Sequence, residues 1–165
     1  MSKSRKFTLA AVIAGALTIA AGTTALADGA HFQSAPTGTV NNDGALVVSW
    51  DEAGLGNQNV TYSLTADATA TYACINGGGN HPKATNKETK AGQVTAGGSF
   101  KTKHGRVQGS LTTGPLSAGS FSCPSGQTLV LACVSYTNGV LTDTTNNVTA
   151  DIADVNRTFI AIAGC

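Results

Sequence analysis

Val60, Tyr62, Leu64 and Ala66 alternate with Thr61, Ser63 and Thr65. A period of two turns one side of an extended strand toward a core and the other toward water. A similar texture, rich in Val, Thr, Ala and Tyr and interrupted by Gly, Asn, Asp and Pro, continues from Ala45 to the end of the chain. It predicts further strands at residues 45–50, 69–75, 93–96, 105–111, 127–136, 147–152 and 157–163, about eight or nine short strands in all. No stretch of eleven or more residues after position 28 combines helical spacing of apolar positions with start and stop signals. The expected fold is therefore all-β. Strands spaced at roughly ten residues favour an antiparallel β-sandwich of the immunoglobulin-like kind, with a small closed β-barrel as the alternative. A propeller would need more residues and an internal repeat that this chain lacks.

Residues 76–93 and 112–126 read as loops, because glycine, proline and polar residues dominate them and each begins or ends near a cysteine. Residues 28–42 fit either a loose arm or an edge strand.

The first 27 residues have the build of a cleaved export signal. Lys3, Arg5 and Lys6 precede an uncharged run from Phe7 to Ala21, and Ala25-Leu26-Ala27 supplies an A-x-A cleavage site. With the cut after Ala27, residues 28–165 form a single domain, large enough for a hydrophobic core. The expected location is secreted and extracellular, with no membrane segment after cleavage.

Removing the signal changes the charge. Three of the ten basic residues leave with it, so seven basic against nine acidic residues gives a net charge of −2. A general attraction to nucleic acid or to an anionic membrane is not expected. All four cysteines, Cys74, Cys123, Cys133 and Cys165, lie in the exported part. An even count in an exported chain points to two disulfides, with three possible connectivities. Their spacing matches no zinc motif, so neither a metal nor another cofactor is expected.

Six of the seven exported basic residues crowd between positions 83 and 106: Lys83, Lys87, Lys90, Lys101, Lys103 and Arg106, with His81 and His104 close by and Glu88 as the one acid. Asn80, His81, Lys83, Lys87, Lys101, Lys103 and Arg106 are accordingly the candidate binding residues. Their expected partner is an anionic glycan, a wall polymer or an acidic protein. The same lysines also suit a solvated loop and a sheet edge guarded against aggregation.

The glycines of Asn76 to Asn80 resemble a phosphate cradle only superficially. No Lys-Ser or Lys-Thr follows them and no helix is expected to open there, so they read as turn residues. Neither a Gly-x-Ser-x-Gly elbow nor a His-Glu-x-x-His run occurs. Asp51 and Glu52 are the only adjacent carboxylates and, as strand neighbours, point to opposite faces. Asp143 lies in a turn-forming Asp-Thr-Thr-Asn-Asn run. The aromatic residues sit mostly within apolar alternations and are expected in the core rather than on a stacking platform. No catalytic residue is assigned. A non-catalytic binding module is the expected role, and a protease inhibitor using residues 112–126, an unrecognised extracellular enzyme or a structural envelope component are the alternatives.

Four segments together resemble a family of small secreted proteins common in actinobacteria: WDEAGLG at 50–56, VTYSLTADATATYACINGGGNHPKATNK at 60–87, CPSGQ at 123–127 and VSYTNGVLTDTTN at 134–146. The resemblance implies a secreted all-β domain and no particular activity. It also implies that Cys74 and Cys123 are the family's recurring pair and that Cys133 and Cys165 are additions in this chain. The implied disulfides are then Cys74–Cys123 and Cys133–Cys165.

Overall fold

The computed structural model describes residues 29–77 and 86–165. The signal sequence with its cleavage site, and the candidate residues Asn80, His81 and Lys83, lie outside the described residues.

Among the described residues, nine strands form two antiparallel sheets packed face to face. In the first sheet, β3 (Leu46–Ala53) is central, with β6 (Arg106–Thr113) along one side. β1 (His31–Phe32) and β2 (Thr37–Val40) follow one another along its other side. The segment left open between arm and edge strand is thus an edge in two short pieces. In the second sheet the order is β5 (Lys87–Lys101), β4 (Asn59–Asn76) and β7 (Gln127–Asp143). β8 (Val148–Ile152) and β9 (Val155–Thr158) share the far side of β7. The fold is a β-sandwich, as expected.

Three strands are longer than the sequence suggests. The two strands expected at 60–66 and 69–75 are one 18-residue strand, β4. Asp67, which reads as a break, instead accepts a hydrogen bond from Asn138 Nδ2 across to β7 (2.9 Å). Asn138 itself has φ of 51° and sits beside a register shift between the two strands, where a bulge absorbs the turn-like residue without ending the strand. The loop expected over residues 76–93 is also shorter, because residues 87–93 already belong to β5. Lys87, Glu88 and Lys90 read as loop only because a sheet's edge strand is wet on much of its surface. At the C-terminus the expected strand over 157–163 stops at Thr158.

Burial along β4 explains the architecture. From Asn59 to Ala70 every second residue is buried, as one-sided packing requires. Val60, Tyr62, Leu64, Ala66, Ala68 and Ala70 face Leu46, Val48 and Trp50 of β3 and Val107 and Leu111 of β6 in a single core. At Thr71 the alternation ends, and Thr71, Ala73 and Cys74 are all buried. Here β4 and β7 outrun the eight-residue strands of the first sheet, and other parts of the chain cover both faces of the overhang. On one face Tyr72 OH donates to the carbonyl of Leu116 (2.7 Å), Leu116 packs on the core, and Cys74 is bonded to Cys123. On the other, Ile162 and Val130 pack over Ala73 and Ala132, the amides of Phe159 and Ile160 donate to the Ala132 carbonyl, and Cys133 is bonded to Cys165. Both disulfides thus fasten covers over strands that the first sheet leaves bare.

Trp50, Tyr62 and Tyr136 belong to the core, and Phe32, Tyr72, Phe100 and Phe159 pack against it. Trp50 and Tyr62 have ring centroids 4.7 Å apart, and Phe100 meets both edge-on at 5.1 and 5.5 Å, each contact contributing about 0.5–1.5 kcal/mol beyond burial. Gly109 makes room for them, since a Cβ at that position would stand 2.7 Å from Trp50 Cζ2. Arg157 joins the sheets at the opposite side, donating to the Val40 carbonyl (3.0 Å) and to Asn42 Oδ1 (2.9 Å).

Candidate functional site: the basic end of the sandwich

β5 and β6 are joined by a tight turn. Lys103 and Arg106 exchange both backbone hydrogen bonds (2.9 and 3.1 Å), and the two residues between them, His104 and Gly105, have φ of 53° and 71°. Positive φ at both central positions matches the right-handed twist of flanking strands, the reason two-residue hairpin turns favour it. The Gly105 carbonyl also accepts the amide of Leu55 (3.0 Å), fixing the turn against the β3–β4 connection.

This turn brings Lys101, Lys103 and Arg106 together with Gln108 around a shallow depression of about 270 Å3. Asp51 of β3 lies opposite Gln108 in the ladder. Arg106 grips it with two parallel hydrogen bonds of 2.6 Å, and Gln108 Nε2 adds a third at 2.8 Å. The hydrogen bonds from Arg106, then that from Gln108, hold the Asp51 carboxyl down to about 2, so it is ionised at any ordinary pH. Lys101 and Lys103 have no carboxylate partner among the described residues. Three cations against one carboxylate leave this cluster with a surplus of two positive charges.

A second, more open groove of about 620 Å3 adjoins it through Arg106 and is lined by His31, Gln33, His104 and the glycines around position 55. His31 Nδ1 donates to the Gly29 carbonyl (2.7 Å) and its Nε2 lies 2.7 Å from the Gln33 side-chain amide, which together hold the polar edge of the ring in the groove wall.

Lys87 is separate from this cluster. It begins β5 whereas Lys101 ends it, and fourteen steps of about 3.3 Å place them up to about 45 Å apart. Its ammonium donates to the Ala163 carbonyl, and Lys90 pairs with Glu88 beside it. The candidate set therefore divides: Lys101, Lys103 and Arg106 converge, and Lys87 lies at the opposite end of the strand. Sequence reasoning did not single out Gln108, Gln33 or the Asp51 brace. The first was readable only through the register of β3 on β6.

The carboxylates dismissed as a catalytic pair separate as expected, with Asp51 on the outer face and Glu52 fully buried. Glu52 does have an unforeseen neighbour. Asp143, also fully buried, ends β7 opposite Tyr62 and accepts the amides of Thr145 and Asn146 (2.8 and 3.0 Å) and Asn146 Nδ2 (2.6 Å), the turn chemistry that its sequence context suggests. Neither Glu52 oxygen, nor Tyr62 OH, nor Trp50 Nε1 closes a hydrogen bond among the described residues. Burial pushes the Glu52 carboxyl up. Nearby Asp143 pushes the same way, while the Tyr62 hydroxyl and more distant His31 oppose it.

In the loop considered as an inhibitor segment, Leu116 packs on the core and Cys123 is bonded to Cys74, while most of the other residues are exposed. Comparison of the chain with protein-family models, with characterised proteins and with solved structures finds no match in any of the three.

Proposed function

We propose that this is a secreted, non-catalytic binding module whose binding surface is the basic end formed by Lys101, Lys103, Arg106 and Gln108, and whose partner is an anionic polymer. The observation that carries this reading is the convergence of three cations on one depression with a single carboxylate among them. The carboxylate is itself used to orient the guanidinium, which leaves the two lysines free for a partner's phosphate or carboxylate groups. Two disulfides suit an oxidising compartment, in keeping with the leader and with the secreted family that the sequence resembles.

Retention on an immobilised polyanion tests the proposal. The exported protein is expected to bind at low salt and to elute as salt rises. The double variant Lys101→Glu, Lys103→Glu is expected to elute at markedly lower salt, with the steepness of the salt dependence falling by about one unit for each lysine replaced. Lys87→Glu, at the far end of the strand, is expected to elute with the unaltered protein. Equal retention of the double variant would overturn the assignment.

A further inference from the structure

The groove that adjoins the basic depression differs from it in chemistry. Lys103 lines the depression, His104 and Gly105 line the groove, and Arg106 lines both. The β5–β6 turn is therefore their common wall, and the two make one continuous surface.

Strand pairing extends this surface over the outer side of the first sheet. Arg106, Ala53 and His31 stand in one row across β6, β3 and β1. The next row holds Gln108 and Asp51, with Gln33 beside them, because the Gln33 amide donates to the Asp51 carbonyl (2.8 Å). Ser110 and Ser49 form the row after that. Along β3 and β6 these residues alternate with buried Trp50, Glu52 and Val107, so they share the side turned to water.

This lining selects among anionic polymers. Lys101 and Lys103 attract negative charge at one end only. Beyond Arg106 the exposed groups are amides, hydroxyls and two imidazole rings, which as a set both donate and accept hydrogen bonds. A polyphosphate is charged at every unit and can only accept, so it would leave the amide and hydroxyl acceptors of this face unmatched. An acidic peptide would bring apolar side chains as well, and among the described residues the groove offers them only Ala53. A sugar chain bearing carboxylates fits both parts, because its acid groups suit the lysines and its hydroxyls donate and accept like the groove itself. No phenyl, phenol or indole ring lines the groove among the described residues, so hydrogen bonds and charge, not stacking, would hold the chain.

We propose that the groove lined by His31, Gln33 and His104 is a sugar subsite and that the polymer held at the basic end is an acidic polysaccharide. A carboxylate of the chain meets Lys101 and Lys103, and the hydroxyls of neighbouring sugars meet Gln33 and His104. This rests on the basic end being the binding surface and names the class of polymer that it holds.

The test is isothermal titration calorimetry on the intact exported protein, with oligogalacturonate, polyphosphate and polyglutamate of matched charge as probes at one salt concentration. Oligogalacturonate is expected to bind about tenfold more tightly than the other two, the worth of one or two net hydrogen bonds. Gln33 is exposed, so Gln33→Ala should fold normally. It is expected to weaken oligogalacturonate about fivefold and to leave polyphosphate unchanged. The double variant Lys101→Glu, Lys103→Glu should weaken all three probes. Equal affinity for the three, or a Gln33→Ala variant that binds oligogalacturonate like the unaltered protein, would overturn the sugar subsite while leaving the basic surface standing. Unchanged oligogalacturonate binding by the double lysine variant would overturn the basic surface itself, and the subsite with it.

Discussion

Reduction of both disulfides is expected to unfold the protein. Cys74–Cys123 closes 49 residues of sequence and Cys133–Cys165 closes 32, and chain entropy assigns loops of this size about 4 kcal/mol each. Together they approach the whole stability of an ordinary domain, about 5–15 kcal/mol. The two should not fail together. Cys165 is exposed, whereas Cys74 is buried beneath the 114–126 cover, so limited reductant should open Cys133–Cys165 first. That step frees the tail carrying Ile162 and uncovers Ala73 and Ala132 while leaving the main core intact. The check is guanidinium unfolding of the Cys133→Ser, Cys165→Ser and Cys74→Ser, Cys123→Ser variants. Each should lose stability by up to about 4 kcal/mol, and a midpoint unchanged in either would refute the role given to that bridge.

Glu52→Gln is expected to stabilise the protein at pH 8, an uncommon result for a fully buried position. The Glu52 proton is favoured in the folded state because burial and Asp143 disfavour the carboxylate. The unfolded chain releases that proton as pH passes its ordinary value, 4.5, while the folded chain holds it longer. Stability from this group is therefore full below that pH and declines as pH rises toward the folded value. Glutamine copies the protonated form and removes the decline. The gain at pH 8 should therefore match the loss that the unaltered protein suffers from this group between pH 4 and pH 8. At pH 4 the variant and the unaltered protein should melt alike. Asp51 acts in the opposite sense, because its lowered value gives stability above 3.8 that is lost as pH falls toward about 2; being exposed, it contributes less. Stability should accordingly be greatest in mildly acidic solution. Thermal unfolding of both proteins at pH 4 and pH 8 decides the matter, and a variant less stable at pH 8 would show that the ionised carboxylate is held favourably.

The fold was legible where the physics is local. Val60 to Ala66 announces a one-sided strand because its alternation is set by the core beneath it, and the crowding of Lys101, Lys103 and Arg106 is readable because a hairpin keeps sequence neighbours together. Strand length was not legible. Asp67 and Asn138 have the composition of breaks, yet β4 stays paired with β5 straight through Asp67, and Asn138 is taken up at a register shift between β4 and β7, where it bonds Asp67. Nor could Lys87 be parted from Lys101, since a loop would have let them meet and a fifteen-residue strand holds them apart. The meeting of Glu52 with Asp143 joins positions in strands of different sheets and leaves no trace in local composition. The pairing of the cysteines followed from the family resemblance rather than from spacing, and the geometry agrees with it.

The central claim is that the protein meets anionic partners through one end. It is tested most directly by titrating isotopically labelled protein with a soluble polyanion and following each amide by NMR. The predicted result is a set of shifts centred on Lys101, Lys103, His104, Arg106 and Gln108, fading with added salt, while Lys87, Glu88 and Lys90 at the far end of β5 stay unmoved. Shifts centred instead on Lys87 to Lys90, or spread evenly over all exposed lysines, would contradict it.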